Sequence, residues 1–260
     1  MSLQFALVDC YHDRLFRHRS FDACMASCRY RLDRFIAQHS TYSRRDVRLL
    51  LAQQRITVDG VVARDINQPI GPFHRITLDA AVLQQQQPVY LGMNKPAGVV
   101  SATRDDEHTT VIDQLCQHPG CPLATEQLQQ LHIVGRLDRA SSGLLLLTND
   151  SDWSRRLMSP EHKVAKVYRV TLAHPVSTEC IAAFAAGMYF PYENITTRPA
   201  LLEIMAERQV QVTLTEGRYH QIKRMFGRFR NPVLALHRLS IGPWQLPPEC
   251  APGDSWQVLP

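Results

Sequence analysis

The stretch LHIVGRLDRASSGLLLLTND, residues 131–150, decides how the rest of the chain is organised. Its two apolar runs, residues 131–134 and 144–148, are short and bounded by glycines, a pattern typical of two strands joined by an irregular connection. Burial of these strands fixes the shape of the connection GRLDRASSG at the edge of a sheet. The connection carries one carboxylate, Asp138, and we predict that it is the catalytic group.

Two arginines, Arg136 and Arg139, flank Asp138 in the sequence. Positive neighbours favour the ionised carboxylate, so Asp138 could act as a base or nucleophile at neutral pH without a metal. The alternative is a carboxylate that simply pairs with two arginines in a surface loop, and the spacing alone favours that interpretation. The other motifs of the chain have to decide between the two.

Length and composition fit a globular protein of one large domain or two smaller ones. The chain has 260 residues, 45% hydrophobic and 20% charged, with a formal net charge of +5. This basic excess indicates an anionic partner only if the charges cluster. No apolar run reaches membrane-spanning length, and the N-terminus lacks the apolar core of a signal peptide. We therefore expect a cytoplasmic protein without membrane contacts, and a monomer.

Seven scattered cysteines fit free thiols in a reducing compartment better than a disulfide framework. Cys116, His118 and Cys121 form the only tight group of metal-ligating residue types. No second pair stands at the spacing of a zinc ribbon, so we predict no metal site. No cofactor is predicted either.

Residues 1–29 have mixed polarity and no clear amphipathic period. We interpret them as an N-terminal extension, either loosely ordered or encoded upstream of a true start near Met25. Residues 30–83 form the next unit, residues 84–89 a glutamine-rich linker, and residues 90–260 a second domain.

The unit of residues 30–83 is predicted to contain two helices and a hairpin. Leu32, Phe35 and Ile36 follow helical spacing, and Ser43 can cap a second helix that buries Val47, Leu50 and Leu51. That second helix turns Arg44, Arg45 and Arg48 outward. The pair Asp59-Gly60 then predicts a tight hairpin, followed by a strand at residues 74–79. Such a module could grip RNA phosphates, whereas a small subdomain with a solvated arginine face is the alternative.

The second domain begins with a strand at residues 90–93 and a tight turn, NKPAG. Lys95 in this turn either faces the substrate or is an ordinary surface lysine. Residues 163–172 alternate as a strand does and place Lys166, Tyr168 and Val170 on one face.

Residues 216–230, EGRYHQIKRMFGRFR, form the most basic stretch. Ile222, Met225, Phe226 and Phe229 fall on one helix face and pack inward, while Arg224 and Arg228 face outward. Arg218 and His220 stand where the helix begins and could meet phosphate groups. A solvated basic helix is the alternative.

Taken together, NKPAGVVS, GRLDRASSGLLLLT, KVYRV and EGRYHQIKRMF resemble the successive motifs of the pseudouridine synthases of the ribosomal small-subunit-A type. The helix-helix-hairpin unit resembles the S4-like RNA-binding domain that often precedes that catalytic domain. The resemblance extends from Arg31 to the C-terminus. It implies an α+β chain whose catalytic domain has a mixed, mostly antiparallel sheet with flanking helices.

The resemblance also assigns roles to residues. It implies that Asp138 is the essential aspartate, Tyr168 the active-site tyrosine and Lys223 the basic partner of the aspartate. Arg136 is expected to hold the RNA backbone or to fill the space left by an extruded uridine. Further RNA contacts are expected at Lys95, Arg218, His220, Arg224, Arg44, Arg45 and Arg48.

The expected activity is the conversion of one uridine in ribosomal RNA to pseudouridine without a cofactor, with 16S rRNA as the substrate, within small-subunit particles. The same reaction on 23S rRNA is the nearest alternative. A ribosome-assembly factor that binds RNA without catalysis is another, although Asp138, Tyr168 and Lys223 are all present. A metal-dependent hydrolase is disfavoured because the charges that flank Asp138 are positive.

Overall fold

A four-stranded and a nine-stranded sheet organise residues 30–260, the part of the chain that the computed structural model describes. The structure confirms the predicted α+β class. The predicted N-terminal extension, with Met25 and three of the cysteines, lies outside the described residues. Within residues 30–260, no helix has both the length and the apolar character that crossing a bilayer requires.

Two helices and six short strands make up the first part of the described chain. The helices are α1 (Leu32–His39) and α2 (Val47–Ala52). The strands are β1 (Tyr30–Arg31), β2 (Ile56–Val58), β3 (Val61–Val62), β4 (Pro69–Ile70), β5 (Ile76–Leu78) and β6 (Ala81–Gln84). Strands β3-β2-β5-β6 form one antiparallel sheet in that order, and β1 pairs with β4. The helices and this sheet share a core of their own.

The predicted hairpin turn forms as expected, whereas the second helix begins later than predicted. Asp59 and Gly60 both have positive φ, +52° and +81°, as the two-residue turn between β2 and β3 requires. Ser43 does not cap α2; its hydroxyl instead donates to the Asp46 carboxylate at 2.7 Å, and the helix starts at Val47.

The nine-stranded sheet contains β7 (Tyr90–Lys95), β8 (His132–Val134), β9 (Ser142–Thr148), β10 (Lys166–Leu172), β13 (Leu201–Ala206), β14 (Gln209–Leu214), β15 (Val233–Ile241), β16 (Trp244–Gln245) and β17 (Ser255–Gln257). Its path runs β13-β14-β10-β15-β9-β7-β17, with β16 added to β15 and β8 added to β9. Only β9 and β15 pair in parallel among the described strands of this sheet. Strands β11 (Tyr189–Phe190) and β12 (Ile195–Thr196) form a separate small hairpin.

Five helices accompany the large sheet. They are α3 (Val111–Gln117), α4 (Thr125–Leu128), α5 (Ser151–Met158), α6 (Glu179–Ala186) and α7 (Gln221–Gly227). Asp150 caps α5, because its carboxylate accepts the backbone N–H groups of Asp152 and Trp153.

The four central residues of β9, Leu144 to Leu147, are all apolar, as is typical of a strand that the protein covers on both faces. Leu145 and Leu147 belong to the main core under the sheet, and Leu144 and Leu146 pack on the other side with Trp153. The buried strand fixes the position of the connection that precedes it.

The parallel contact between β9 and β15 depends on a glycine. Gly143 has φ +103°, and a Cβ at this position would lie 2.3 Å from the backbone oxygen of Arg238. Only glycine permits so close an approach of the two backbones.

The predicted linker lies between β6, which includes Gln84, and β7, which begins at Tyr90. The domain boundaries themselves stay a prediction.

Candidate active site

Residues 135–141, the Asp138 loop, connect β8 to β9 and present the candidate carboxylate. Ser101 holds the loop from one side, since its hydroxyl donates to the Leu137 carbonyl at 2.8 Å and accepts from the Leu137 N–H at 3.2 Å. The Ser141 N–H donates to the Asp138 carbonyl at 2.9 Å. The backbone on either side of the carboxylate is therefore fixed by hydrogen bonds.

Lys95 supports the same loop from below. Its side chain is fully buried, and its ammonium donates to the carbonyls of Ser141 at 2.7 Å and Pro96 at 2.8 Å, with the Arg139 carbonyl at 3.4 Å. Burial lowers the pKa of Lys95 to about 8, and the negative charge of Asp138 opposes that shift. The interpretation of Lys95 as a surface lysine is wrong, and the structure does not place it where RNA could touch it.

Arg238 on β15 is a second buried cation, which no sequence pattern had indicated. Only 1% of its surface is exposed; its Nε donates to the Leu144 carbonyl at 2.7 Å, and its Nη1 lies 3.4 Å from the Arg136 carbonyl. An arginine in a strand is usually solvent-facing, so only the fold could show that this one ties β15 to the Asp138 loop.

The carboxylate of Asp138 contacts two basic side chains from α7 and the segment before it. Lys223 Nζ lies 2.8 Å from Asp138 Oδ2, and His220 Nε2 lies 3.4 Å from the same oxygen. The Asp138 side chain keeps 29% of its surface exposed. The structure thus brings together Asp138 and Lys223 across 85 positions, and it places His220, predicted as an RNA contact, on the carboxylate as well.

The neighbouring arginines do not pair with Asp138. The Arg139 Nε donates to the Gly98 carbonyl at 3.1 Å, and its Nη1 lies 3.0 Å from a ring nitrogen of His108. Arg136 is exposed beside the cleft, and no ion pair involves it within residues 30–260. The alternative interpretation, in which Asp138 simply pairs with these two arginines in a surface loop, is wrong, because the basic side chains that contact its carboxylate are Lys223 and His220.

A buried carboxylate shapes the segment that carries His220. Glu216 accepts from Gln221 Nε2 at 2.7 Å, from Arg218 Nε at 3.0 Å and from the backbone N–H of Arg198 at 2.9 Å. His220 itself has φ +48°, the left-handed conformation, at the start of α7. These contacts turn His220 and Lys223 toward Asp138.

Arg224 and Arg228, the outward arginines of residues 216–230, contact the β11–β12 hairpin. Arg224 forms a two-pronged ion pair with Glu193 at 2.6 and 2.7 Å and stacks over the Phe190 ring at 3.8 Å. Arg228 donates to the Tyr189 carbonyl at 2.6 Å. The structure therefore places both arginines against the β11–β12 hairpin and not at the Asp138 loop.

Three arginines, Arg44, Arg45 and Arg48, lie exposed on and just before α2, as predicted, and form what we call the α2 basic face.

A cleft of about 340 Å³ opens at Asp138. Its walls include Asp138, Tyr168, Arg136, Lys223 and Leu214, with Tyr219 at its rim. Tyr168 projects from β10, whose backbone pairs with both β14 and β15, and it is 7% exposed. The volume is that of a small-molecule site and accommodates one nucleoside. Within residues 30–260, no three histidine, cysteine, aspartate or glutamate side chains converge on a possible metal position.

Comparison with known proteins gives a consistent result. A family model described as RNA pseudouridylate synthase matches residues 89–227, which contain both the Asp138 loop and α7. The chain is 46% identical over 231 residues to the ribosomal small subunit pseudouridine synthase A of Pseudomonas aeruginosa, a match that covers 88% of this chain and 96% of that protein.

Two further relatives agree with this match. The protein of the same name from Escherichia coli is 41% identical over 225 residues, covering 86% of this chain and 94% of the relative. A crystal structure of a pseudouridylate synthase is 35% identical, covers 88% of this chain and 96% of that one, and superposes with a TM-score of 0.61.

Proposed function

The chain belongs to the RNA pseudouridylate synthase family, and we propose that it converts one uridine of 16S ribosomal RNA to pseudouridine with Asp138 as the reacting carboxylate. The observation that carries the proposal is the contact of Lys223 with Asp138 at 2.8 Å inside a nucleoside-sized cleft that Tyr168 also lines. The small-subunit substrate is supported by the names of the relatives from Pseudomonas aeruginosa and Escherichia coli.

The reaction breaks the bond between N1 of uracil and C1′ of the ribose, rotates the base and joins C5 to C1′. The C5 proton is lost and N1 gains one, so no atom or electron enters from outside and no cofactor is needed. Asp138 attacks the ribose or takes a proton from it, and either step releases the base. Lys223 and His220 both contact Oδ2 of Asp138, which leaves Oδ1 to face the sugar.

The surrounding side chains support this step. Lys223 keeps Asp138 charged once the RNA excludes water from the cleft, where an unpaired carboxylate would be costly. Tyr168 forms a wall against which the uracil ring stacks, and its hydroxyl is placed to take part in proton transfer. Arg136, exposed beside the cleft, contacts the RNA backbone or fills the space that the extruded uridine leaves.

Binding of the RNA rests on a surface other than the reacting carboxylate. Extrusion of the target base costs a few kcal/mol, which contacts elsewhere must offset. The α2 basic face supplies three exposed guanidinium groups for phosphates, and Arg218 adds one at the cleft. We propose that residues 30–83 act as an S4-like RNA-binding domain and that small-subunit particles are the natural partner.

The test is pseudouridine mapping on 16S and 23S rRNA from cells with and without the gene. The RNA is treated with a carbodiimide that modifies pseudouridine, and each modified base then stops reverse transcription. Loss of one stop in 16S rRNA, restored by the wild-type gene but not by Asp138→Asn, supports the proposal. The variant should bind RNA within a few fold of wild type, because binding does not rest on this carboxylate. Loss of a stop in 23S rRNA instead would keep the chemistry and overturn the substrate; unchanged stops in both would favour a non-catalytic assembly factor.

A further inference from the structure

The rim of the cleft carries an aromatic ring that the proposed chemistry does not use. Tyr219 lines the cleft and keeps 71% of its surface exposed. Its ring stacks on that of His220, with centroids 3.9 Å apart and planes inclined by 18°. A ring that is stacked on one face yet so exposed offers its other face to whatever enters the cleft.

The segment that holds Tyr219 is fixed on both sides. The Arg218 N–H donates to Gln221 Oε1 at 3.1 Å, and Arg218 and Gln221 both contact the buried carboxylate of Glu216. His220 adopts φ +48°, a left-handed conformation that is strained for a residue with a Cβ. Such strain persists only where the surrounding contacts over-determine it, so the Tyr219 ring is held in place before any ligand arrives.

The ring also stands close to the reacting group. His220 contacts Asp138 Oδ2 at 3.4 Å, so Tyr219 lies one stacked ring away from the carboxylate. When a uridine is extruded from RNA, the bases beside it lose a stacking neighbour. An open aromatic face at this distance can replace that neighbour.

We propose that Tyr219 is a stacking platform for an unpaired base of the RNA adjacent to the target uridine. This inference rests on the proposed function and adds a binding subsite to it. Every base has a π-face, so the platform tolerates sequence differences and contributes affinity more than discrimination. Arg218, at the same rim and with 39% of its side chain exposed, is placed to meet the phosphate of the stacked nucleotide.

Three variants test the platform. Tyr219→Phe keeps the ring, Tyr219→Leu removes it while retaining bulk, and Tyr192→Leu is the matched control, since Tyr192 is fully exposed but does not line the cleft. The assay is tritium release from C5-tritiated uridine in rRNA, because the C5–H bond is lost in the reaction. Stacking of one base on an aromatic side chain corresponds to about 5- to 150-fold in affinity. We expect Tyr219→Leu to raise KM about 10-fold with little change in kcat, and the other two variants to stay within about twofold of wild type.

A second measurement separates stacking from support of His220. A 16S rRNA with an abasic residue beside the target uridine, prepared for each side in turn, should lower the wild-type kcat/KM to the level of Tyr219→Leu at one of the two positions. The Leu variant should lose nothing more on that RNA. A loss in kcat, an equal loss in Tyr219→Phe, or independent effects of variant and abasic site would overturn the platform.

Failure of the proposed function would look different. If the wild-type enzyme releases tritium only from 23S rRNA, the 16S substrate is wrong and the same comparison is made on 23S rRNA. If it releases none from either, the catalytic proposal fails, and an unchanged rRNA dissociation constant for Tyr219→Leu then refutes the platform independently.

Discussion

Replacing Lys95 by methionine removes the cation that ties the Asp138 loop to the turn after β7. The ammonium makes two short hydrogen bonds, to the carbonyls of Ser141 at 2.7 Å and Pro96 at 2.8 Å. Each bond to a charged group contributes about 1.5–3 kcal/mol. Burial of the charge opposes these bonds. The lowering of the Lys95 pKa from 10.5 to about 8 corresponds to a free-energy cost of about 3 kcal/mol for the charged form. The two contributions largely cancel, so we expect Lys95→Met to lower the free energy of unfolding by about 0–3 kcal/mol.

The effect on catalysis should be larger than the effect on stability. Without the ammonium, the carbonyls of Pro96 and Ser141 lose the donor that they share. The Gly98 N–H bond to the Arg139 carbonyl and the Ser101 contacts with Leu137 keep the loop in place overall, but we expect its Ser141 end, and Asp138 with it, to shift. A displacement of about 1 Å at a reacting group can reduce the rate about 100-fold. We expect kcat for tritium release to fall by about that factor while KM for rRNA stays within a few fold of wild type.

Lys166→Met is the matched control. Lys166 is also a lysine whose pKa is lowered by burial, but its ammonium donates to the Val164 carbonyl and not to the Asp138 loop. The control should lose comparable stability and little activity. A well-folded Lys95→Met enzyme with wild-type kcat, or a control that is equally inactive, would refute the positioning role of Lys95.

The same lysine predicts a pH dependence of stability. Its pKa of about 8 in the folded protein lies below the ordinary value of 10.5, so between these pH values the unfolded chain binds more protons. The free energy of unfolding therefore rises with pH across this window, and that contribution is lost as the pH falls through 8. Relative to Lys95→Met, wild type should gain about 2 kcal/mol between pH 7.5 and 9.5 in urea unfolding. Parallel pH profiles for the two proteins would contradict the assignment.

Three further outcomes are expected. Gly143→Ala should lower the free energy of unfolding, measured in urea, by more than about 3 kcal/mol, because its Cβ would lie 2.3 Å from the Arg238 backbone oxygen. The control Gly60→Ala should lose only about 1 kcal/mol, because no atom lies within 4 Å of its Cβ. Lys223→Met should reduce kcat about 10- to 100-fold with rRNA affinity nearly unchanged, since it removes the 2.8 Å contact with Asp138; an affinity loss of similar size would contradict that role. Glutamine at all three positions of the α2 basic face should weaken rRNA binding and reduce the salt slope of log Kd by about 2, measured by titration at several salt concentrations; an unchanged slope would remove this face from the RNA interface.

Much of the fold could be predicted because local patterns carry it. The apolar runs around the Asp138 loop became β8 and β9, and the pair Asp59-Gly60 became a two-residue turn. Each depends on residues that are neighbours in sequence. In contrast, the sequence analysis predicted no strand at β15, which contains the charged Arg238. A buried arginine is tolerated in this strand only because it donates to the carbonyls of Leu144 and Arg136, which belong to another segment.

The candidate site shows even more clearly the difference between features that sequence neighbours determine and features that only the tertiary fold determines. Sequence adjacency suggested that Arg136 and Arg139 keep Asp138 ionised, yet the basic side chains that contact its carboxylate, Lys223 and His220, come from the segment around α7. Only the resemblance to a known family had pointed to Lys223. Lys223 and Asp138 stand 85 positions apart in the chain, so only the tertiary fold brings them together.

The basic side chains around the Asp138 loop therefore divide into two sets with different tasks. Lys95 and Arg238 are buried, and they bind backbone carbonyls on the protein side of the loop; they fix where the carboxylate stands. Lys223 and His220 are partly exposed and contact the carboxylate itself. Because the second set reaches Asp138 from the cleft side, it can respond to RNA that enters the cleft, while the first set cannot. Among the kinetic constants, variants of the first set should consequently change kcat and leave KM for rRNA nearly unchanged, and variants near His220 should be the ones whose effect depends on the RNA beside the target uridine.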